Sequence, residues 1–186
     1  DKIFKDQIDQ IKKYKKFILI TTSGVSSLTE FKKRLIVDRT AKKLRNQKEI
    51  KKKSNEHMYE YIVFKKTVEL ISSIALKFPK INFVVRKHPS ENIKDWKKII
   101  INFPKNVFFD NRFDVYGWIS LSECLIHTAS TVGLQSYYLK KKAISFVPKV
   151  GGANRGFSNQ FGIKASNKIK VLEILDQILN KKKKFD

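Results

Sequence analysis

Two short stretches hold most of the side chains that could do chemistry. Arg86-Lys87-His88-Pro89-Ser90-Glu91 brings a guanidinium, an ammonium, an imidazole and a carboxylate into consecutive positions. A guanidinium grips a phosphate or carboxylate at two points. An imidazole beside a phosphate acts as a proton donor or as a neutral hydrogen-bond donor, and Pro89 stiffens the turn that carries both. The second stretch is Ile126–Gln135, IHTASTVGLQ. There Ser130 is a good helix N-cap, and Gly133, a turn later, lets a ligand or a backbone approach closely. The N–H groups and dipole of a helix start favour an anion, typically a phosphate. Each feature also has a plainer explanation: capping with a packing glycine for Ser130 and Gly133, and a basic strand end in a basic chain for Lys87.

The remaining reactive types are sparse. His127, at a strand end beside Cys124, reads as a buried, satisfied histidine, and His57, at the start of a helix, as structural or exposed. The histidines show no metal-ligand spacing, and the single Cys124 can form neither an internal disulfide nor a thiolate cluster. There is no P-loop, no G-x-G-x-x-G, no nucleophile elbow and no DxD-like acidic pair. The expectation is chemistry that needs no metal and no resident cofactor.

These residues need elements to position them. A chain of 186 residues that is 41% hydrophobic and 12% aromatic can bury one domain and is not wholly disordered. No apolar run approaches the roughly 20 residues that span a bilayer. Residues 1–16 form an amphipathic segment at helical spacing, and Phe17–Thr22 reads as a buried strand ending at the Ser23-Gly24 turn. Residues 25–56 are lysine-rich with weak periodicity, a mobile excursion with helical pieces. Tyr61, Phe64, Val68, Ile71, Ala75 and Phe78 recur every three or four residues, which predicts a helix over 57–78 stopped by Pro79. Strands follow at 81–85, 107–109, 123–127 and 143–147, helices at 92–103, within 113–122, at 131–139 and at 168–179. Residues 150–161 form a loop, and 181–186 a basic tail. Short apolar strands alternating with longer helices predict an α/β, Rossmann-like parallel sheet with helices on both faces, spanning 17–180. In such sheets ligands bind beyond the carboxyl ends of the strands, where both stretches fall.

The balance of 40 Lys and Arg against 17 Asp and Glu, a net charge of +23, admits two readings. One is an anionic partner, whether nucleic acid, lipid or a phosphorylated substrate. The other is a solvated, lysine-coated surface.

A strand ending in Arg86-Lys87-His88-Pro89-Ser90-Glu91, followed by a strand and then Ser130-Thr131-x-Gly133 opening a helix, resembles the C-terminal, donor-binding half of GT-B glycosyltransferases. It is most similar to bacterial surface-carbohydrate biosynthesis proteins and capsule-type Kdo transferases. More distant likenesses are the glycerophosphotransferases of teichoic-acid synthesis and the sugar-nucleotide 2-epimerases. The resemblance covers residues 80–150, and the remainder by topology. It implies a CMP- or UDP-linked sugar as substrate, with no separate cofactor, and a glycan or lipid-linked acceptor. It implies a cytoplasmic protein, with peripheral contact at the inner membrane face as an extension. Arg86 and His88 would contact the donor's phosphate or acidic sugar, with Pro89 and Glu91 completing the turn. Ser130, Thr131 and Gly133 would hold the nucleotide phosphate, and Ser23 and Gly24 would border the same edge. His88 is the candidate for a proton-transfer role. Where related enzymes carry an acid that contacts the ribose, this chain has Gln135, which can hydrogen-bond but supplies no charge. The acceptor domain, which supplies the catalytic base, is expected outside this chain. Two alternatives stand beside this reading: a non-catalytic remnant that binds a partner or an anionic membrane surface, and a basic nucleic-acid-binding module.

Overall fold

Every residue of the first strand, β1 (Phe17–Thr21), is buried, because the strand lies at the centre of a parallel sheet covered on both faces. The structure is a computed structural model that describes residues 2–22, 28–41, 46–128, 130–150 and 157–180. The other strands are β2 (Asn82–Arg86), β3 (Val107–Phe109), β4 (Cys124–His127), β5 (Ala143–Phe146) and β6 (Ile163–Ala165), in the order β3-β2-β1-β4-β5-β6. All pairings are parallel. This is the α/β, Rossmann-like architecture expected from the alternation of short strands and longer helices.

Alternate residues of each strand feed opposite layers. Ile18, Ile20, Phe83, Val85, Cys124 and Ile126 face a core shared with α3 (Gln47–Lys77), α4 (Ile93–Ile100) and α7 (Lys168–Asn180). Phe17, Leu19, Val84 and Leu125 face a second core completed by Ile11 of α1 (Lys2–Lys12) and by Trp118 and Ile119 of α5 (Val115–Leu121). The seven-residue α6 (Val132–Tyr138) follows β4. Burial drives the Cys124 thiol up to about 12, so at neutral pH it is an inert apolar side chain.

Within the stretch 25–56, read as a mobile excursion with helical pieces, the helical pieces are α2 (Leu28–Ala41) and the start of the 31-residue α3. Residues 23–27 and 42–45 lie outside the described residues. Asn46 caps α3, its side-chain oxygen accepting from Glu49 N at 2.9 Å. His57 therefore sits inside α3 and not at its start, and its Nε2 lies 2.8 Å from Asp38 Oδ2 of α2. A buried polar tie holds the two helices together where the apolar period is too weak to announce them. Strand β6 was missed, since only Ala165 of its three residues is buried. Among the described residues no helix is long and apolar enough to cross a membrane.

Candidate functional site

The strand order runs outward in opposite directions from β1 and β4, so their loops diverge and leave a crevice at the carboxyl edge. The register sets what meets there: Thr21 pairs with Arg86 on one side and with His127 on the other. A cleft of about 530 Å³ opens at this point. Its lining includes Thr21, Thr22, Arg86, His88, Ser130 and Gln135. The two stretches singled out by their chemistry thus form its two walls.

The first wall is a clamped turn. Glu91 is 3% exposed, and its Oε2 accepts from Thr22 Oγ1 at 2.6 Å, Trp96 Nε1 at 2.9 Å and His88 N at 3.2 Å. Expected as a ligand contact, Glu91 is the bracket that ties the His-Pro turn to β1 and α4. Pro89 is exposed on the turn and lines the cleft. Ser90 N donates to His88 Nδ1 at 3.2 Å, so Nδ1 is an acceptor and the imidazole proton resides on Nε2. Burial lowers the His88 pKa, the Arg34 and Lys87 charges lower it further, and Glu60 opposes them. His88 therefore presents a neutral ring with an Nε2–H donor at neutral pH.

Arg86 departs most from its expected role. Its Nη1 donates to Arg112 O at 2.7 Å and, at 3.4 Å, to Asp110 O, while Nη2 donates to Phe113 O at 3.0 Å. The guanidinium stacks over Trp118 with Cζ 5.3 Å from the ring centroid. Its fork is spent on the carbonyls of the β3–α5 connection, and it shapes the cleft wall instead of offering a two-point phosphate grip. Lys87 Nζ is likewise turned onto the carbonyls of His88 and Pro89, at 3.1 and 3.3 Å.

The second wall is the start of α6. The cap falls on Thr131, whose side chain makes no capping bond, and not on Ser130. Ser130 satisfies two amides itself: its Oγ accepts from Val132 N at 3.3 Å and its carbonyl from Gly133 N at 3.0 Å. Those amides are not available to an anion in this arrangement. Gly133 is required by packing. A Cβ there would lie 2.4 Å from His127 Cε1, 2.6 Å from His127 Nε2 and 2.9 Å from Ser158 O. His127 is fully buried, with Nε2 2.8 Å from Phe161 O. Burial lowers its pKa against the opposing effect of that bond, so it is buried as expected but only half satisfied. Its Nδ1 has no partner among the described residues.

In the cleft lining, Thr21 Oγ1 and Gln135 Oε1 likewise lack partners among the described residues. Buried polar atoms normally find a partner, and these two on the cleft wall are exceptions. Ser23 and Gly24, expected on the same edge, lie outside the described residues. Asn111 also belongs to the lining. It was missed because a lone asparagine after a strand carries no motif. Its side chain brackets Lys87, accepting from Lys87 N at 3.0 Å and donating to Lys87 O at 2.9 Å.

No family model matches this chain, and no curated protein matches it. Among solved structures it is similar to the UDP-GlcNAc 2-epimerase of Neisseria meningitidis bound to UDP-GlcNAc, with a TM-score of 0.55 and 16% identity over 96% of the chain. It is similar also to S. aureus MnaA solved with UDP, with a TM-score of 0.53 and 12% identity over 92% of the chain. The chain spans 41% and 39% of those two proteins. At these identities the likeness is one of fold: an α/β, Rossmann-like unit matching GT-B-like neighbours.

Proposed function

We propose that this chain is the donor-binding, Rossmann-like half of a glycosyltransferase-like protein of surface polysaccharide biosynthesis, and that its cleft holds a nucleotide-activated sugar. The observation that carries the reading is the cleft at the β1/β4 switch point, where Thr21 Oγ1 and Gln135 Oε1 lack partners among the described residues. The reading draws support from the two fold neighbours, one solved with UDP-GlcNAc and one with UDP. Hydroxyls at Thr21 and Thr131, the Gln135 amide and the His88 Nε2–H suit a ligand rich in hydroxyl and phosphate oxygens. The phosphate is held by neutral donors, since the Arg86 fork is bonded to carbonyls. The acceptor site and the catalytic base belong to a further domain, and the protein works in the cytoplasm at or near the inner membrane face. Isothermal titration of the chain with UDP, UDP-GlcNAc and CMP tests this. Binding should weaken about tenfold in Thr21→Val and in Gln135→Ala, the worth of one net hydrogen bond each. Absence of binding by every nucleotide at millimolar concentration would overturn the reading.

A further inference from the structure

The orientation of His88 is set from outside its own turn. Arg34 of α2 donates through Nη2 to Ser90 Oγ at 3.2 Å, and Ser90 Oγ lies 2.7 Å from His88 Nδ1. An arginine can only donate. Ser90 Oγ then accepts from Arg34 and has its own proton to donate to His88 Nδ1. Ser90 N–H reaches the same nitrogen at 3.2 Å. Both donors push the imidazole proton to Nε2.

Arg34 is itself held in place. Its Nη1 pairs with Glu60 Oε2 of α3 at 3.3 Å. His57 lies in the same joint, with Nε2 2.8 Å from Asp38 Oδ2 and Nδ1 3.7 Å from Glu60 Oε2. The chain Asp38–His57–Glu60–Arg34–Ser90–His88 thus runs from the crossing of α2 and α3 to the lip of the cleft.

We propose that Arg34 is a positioning residue for His88, acting through Ser90 Oγ to keep the imidazole proton on Nε2. The inference rests on the reading of the cleft as a ligand site, but its structural part stands by itself. The charges that face His88 come from α2 (Arg34), α3 (Glu60) and its own turn (Lys87). Of these Arg34 is the cation that both hydrogen-bonds the relay and disfavours a second proton on the ring. The α2–α3 pair thereby becomes the support that keeps a neutral N–H donor on the cleft wall.

The test is imidazole nitrogen NMR on the full chain, with UDP titration alongside. Arg34→Met should raise the His88 titration towards the ordinary histidine value, increase the Nδ1–H tautomer, and weaken UDP about tenfold. Ser90→Ala, which keeps the Arg34 charge, should shift the tautomer in the same direction with a smaller change in titration. Arg34→Lys should retain most of the wild-type behaviour. Unchanged tautomer and titration in Arg34→Met overturn the proposal. Should that variant fail to fold, a wild-type tautomer in Ser90→Ala overturns it instead. A wild-type chain that binds no UDP defeats the functional reading, while the tautomer and titration still decide the role of Arg34.

Discussion

Gly133→Ala separates packing from ligand approach at the start of α6. An ordinary carbon contact is about 3.5–4.0 Å, whereas the new Cβ would lie 2.4 Å from His127 Cε1. The imidazole must retreat by about 1 Å, and it is fully buried with nowhere to go. Retreat also stretches the 2.8 Å bond from its Nε2–H to Phe161 O. Overpacking costs about 1–3 kcal/mol, and disrupting a buried hydrogen bond about 1–3 more. Together they predict a loss of about 2–6 kcal/mol, a fall in Tm of roughly 4–24 °C for a chain of this size. Urea unfolding should report this in the absence of any nucleotide. The same substitution in a His127→Ala background no longer meets the imidazole and keeps only the contact with the Ser158 carbonyl at 2.9 Å. Its cost there should fall by at least about 1 kcal/mol, a coupling that a double-mutant cycle reads directly. A Gly133→Ala protein with wild-type stability, or an equal cost in both backgrounds, refutes the packing argument. Wild-type stability with lost UDP binding would return the glycine to the ligand.

Three further outcomes follow from the same geometry. Glu91→Gln keeps the shape but removes the charge from an oxygen shared by Thr22, Trp96 and His88. It should lose about 1.5–3 kcal/mol, seen as an earlier urea midpoint by tryptophan fluorescence. Arg86→Lys replaces a fork that bonds the carbonyls of Arg112 and Phe113 with a point charge that cannot span them. The free protein should lose about 1–2 kcal/mol in thermal unfolding, and an unchanged Tm would return the guanidinium to a ligand role. Burial raises the Asp110 pKa, but the hydrogen bonds from Arg112 and Tyr14 outweigh it and hold the carboxyl below its ordinary value of 3.8. Between the folded and ordinary values the unfolded chain binds more protons, so stability rises with pH through that window. The contribution is complete above the ordinary value and is lost as pH falls through the folded one. Stability curves of wild type and Asp110→Asn should therefore keep a constant gap above about pH 4 and converge as pH falls below it.

The sheet was legible because burial on both faces writes itself as apolar runs. FILITT and INFVV read as strands over 17–22 and 81–85, within a residue of the observed β1 and β2, and β3 was placed at its observed bounds. The elements that escaped are held by something other than an apolar period. The α2–α3 pair is tied by Asp38 and His57, a contact between residues far apart in sequence. Strand β6 exposes Ile163 and Lys164 and follows Gly162, whose φ of +116° and 2.8 Å Cβ approach to Ala143 O require glycine. An edge strand made by a turn and by backbone pairing leaves little trace in hydropathy.

The location of the site was legible for a different reason: chain topology forces the residues after β1, β2 and β4 onto one edge. Their roles were not. A cation after a strand looks like a phosphate ligand, but the β3–α5 connection carries carbonyls that also need donors as they become buried. Arg86 is the neighbour long enough to reach the carbonyls of Asp110, Arg112 and Phe113 together, and it is used there first. Glu91 is similarly consumed by donors from three elements. What remains uncommitted on the cleft wall is a set of neutral groups, Thr21, Gln135 and the His88 ring, beside the Arg86 and Lys87 charges whose N–H groups are directed at carbonyls. Gln135, read in the sequence as a departure from an acidic pattern, keeps the hydrogen-bonding capacity of that position on the cleft wall without adding a charge.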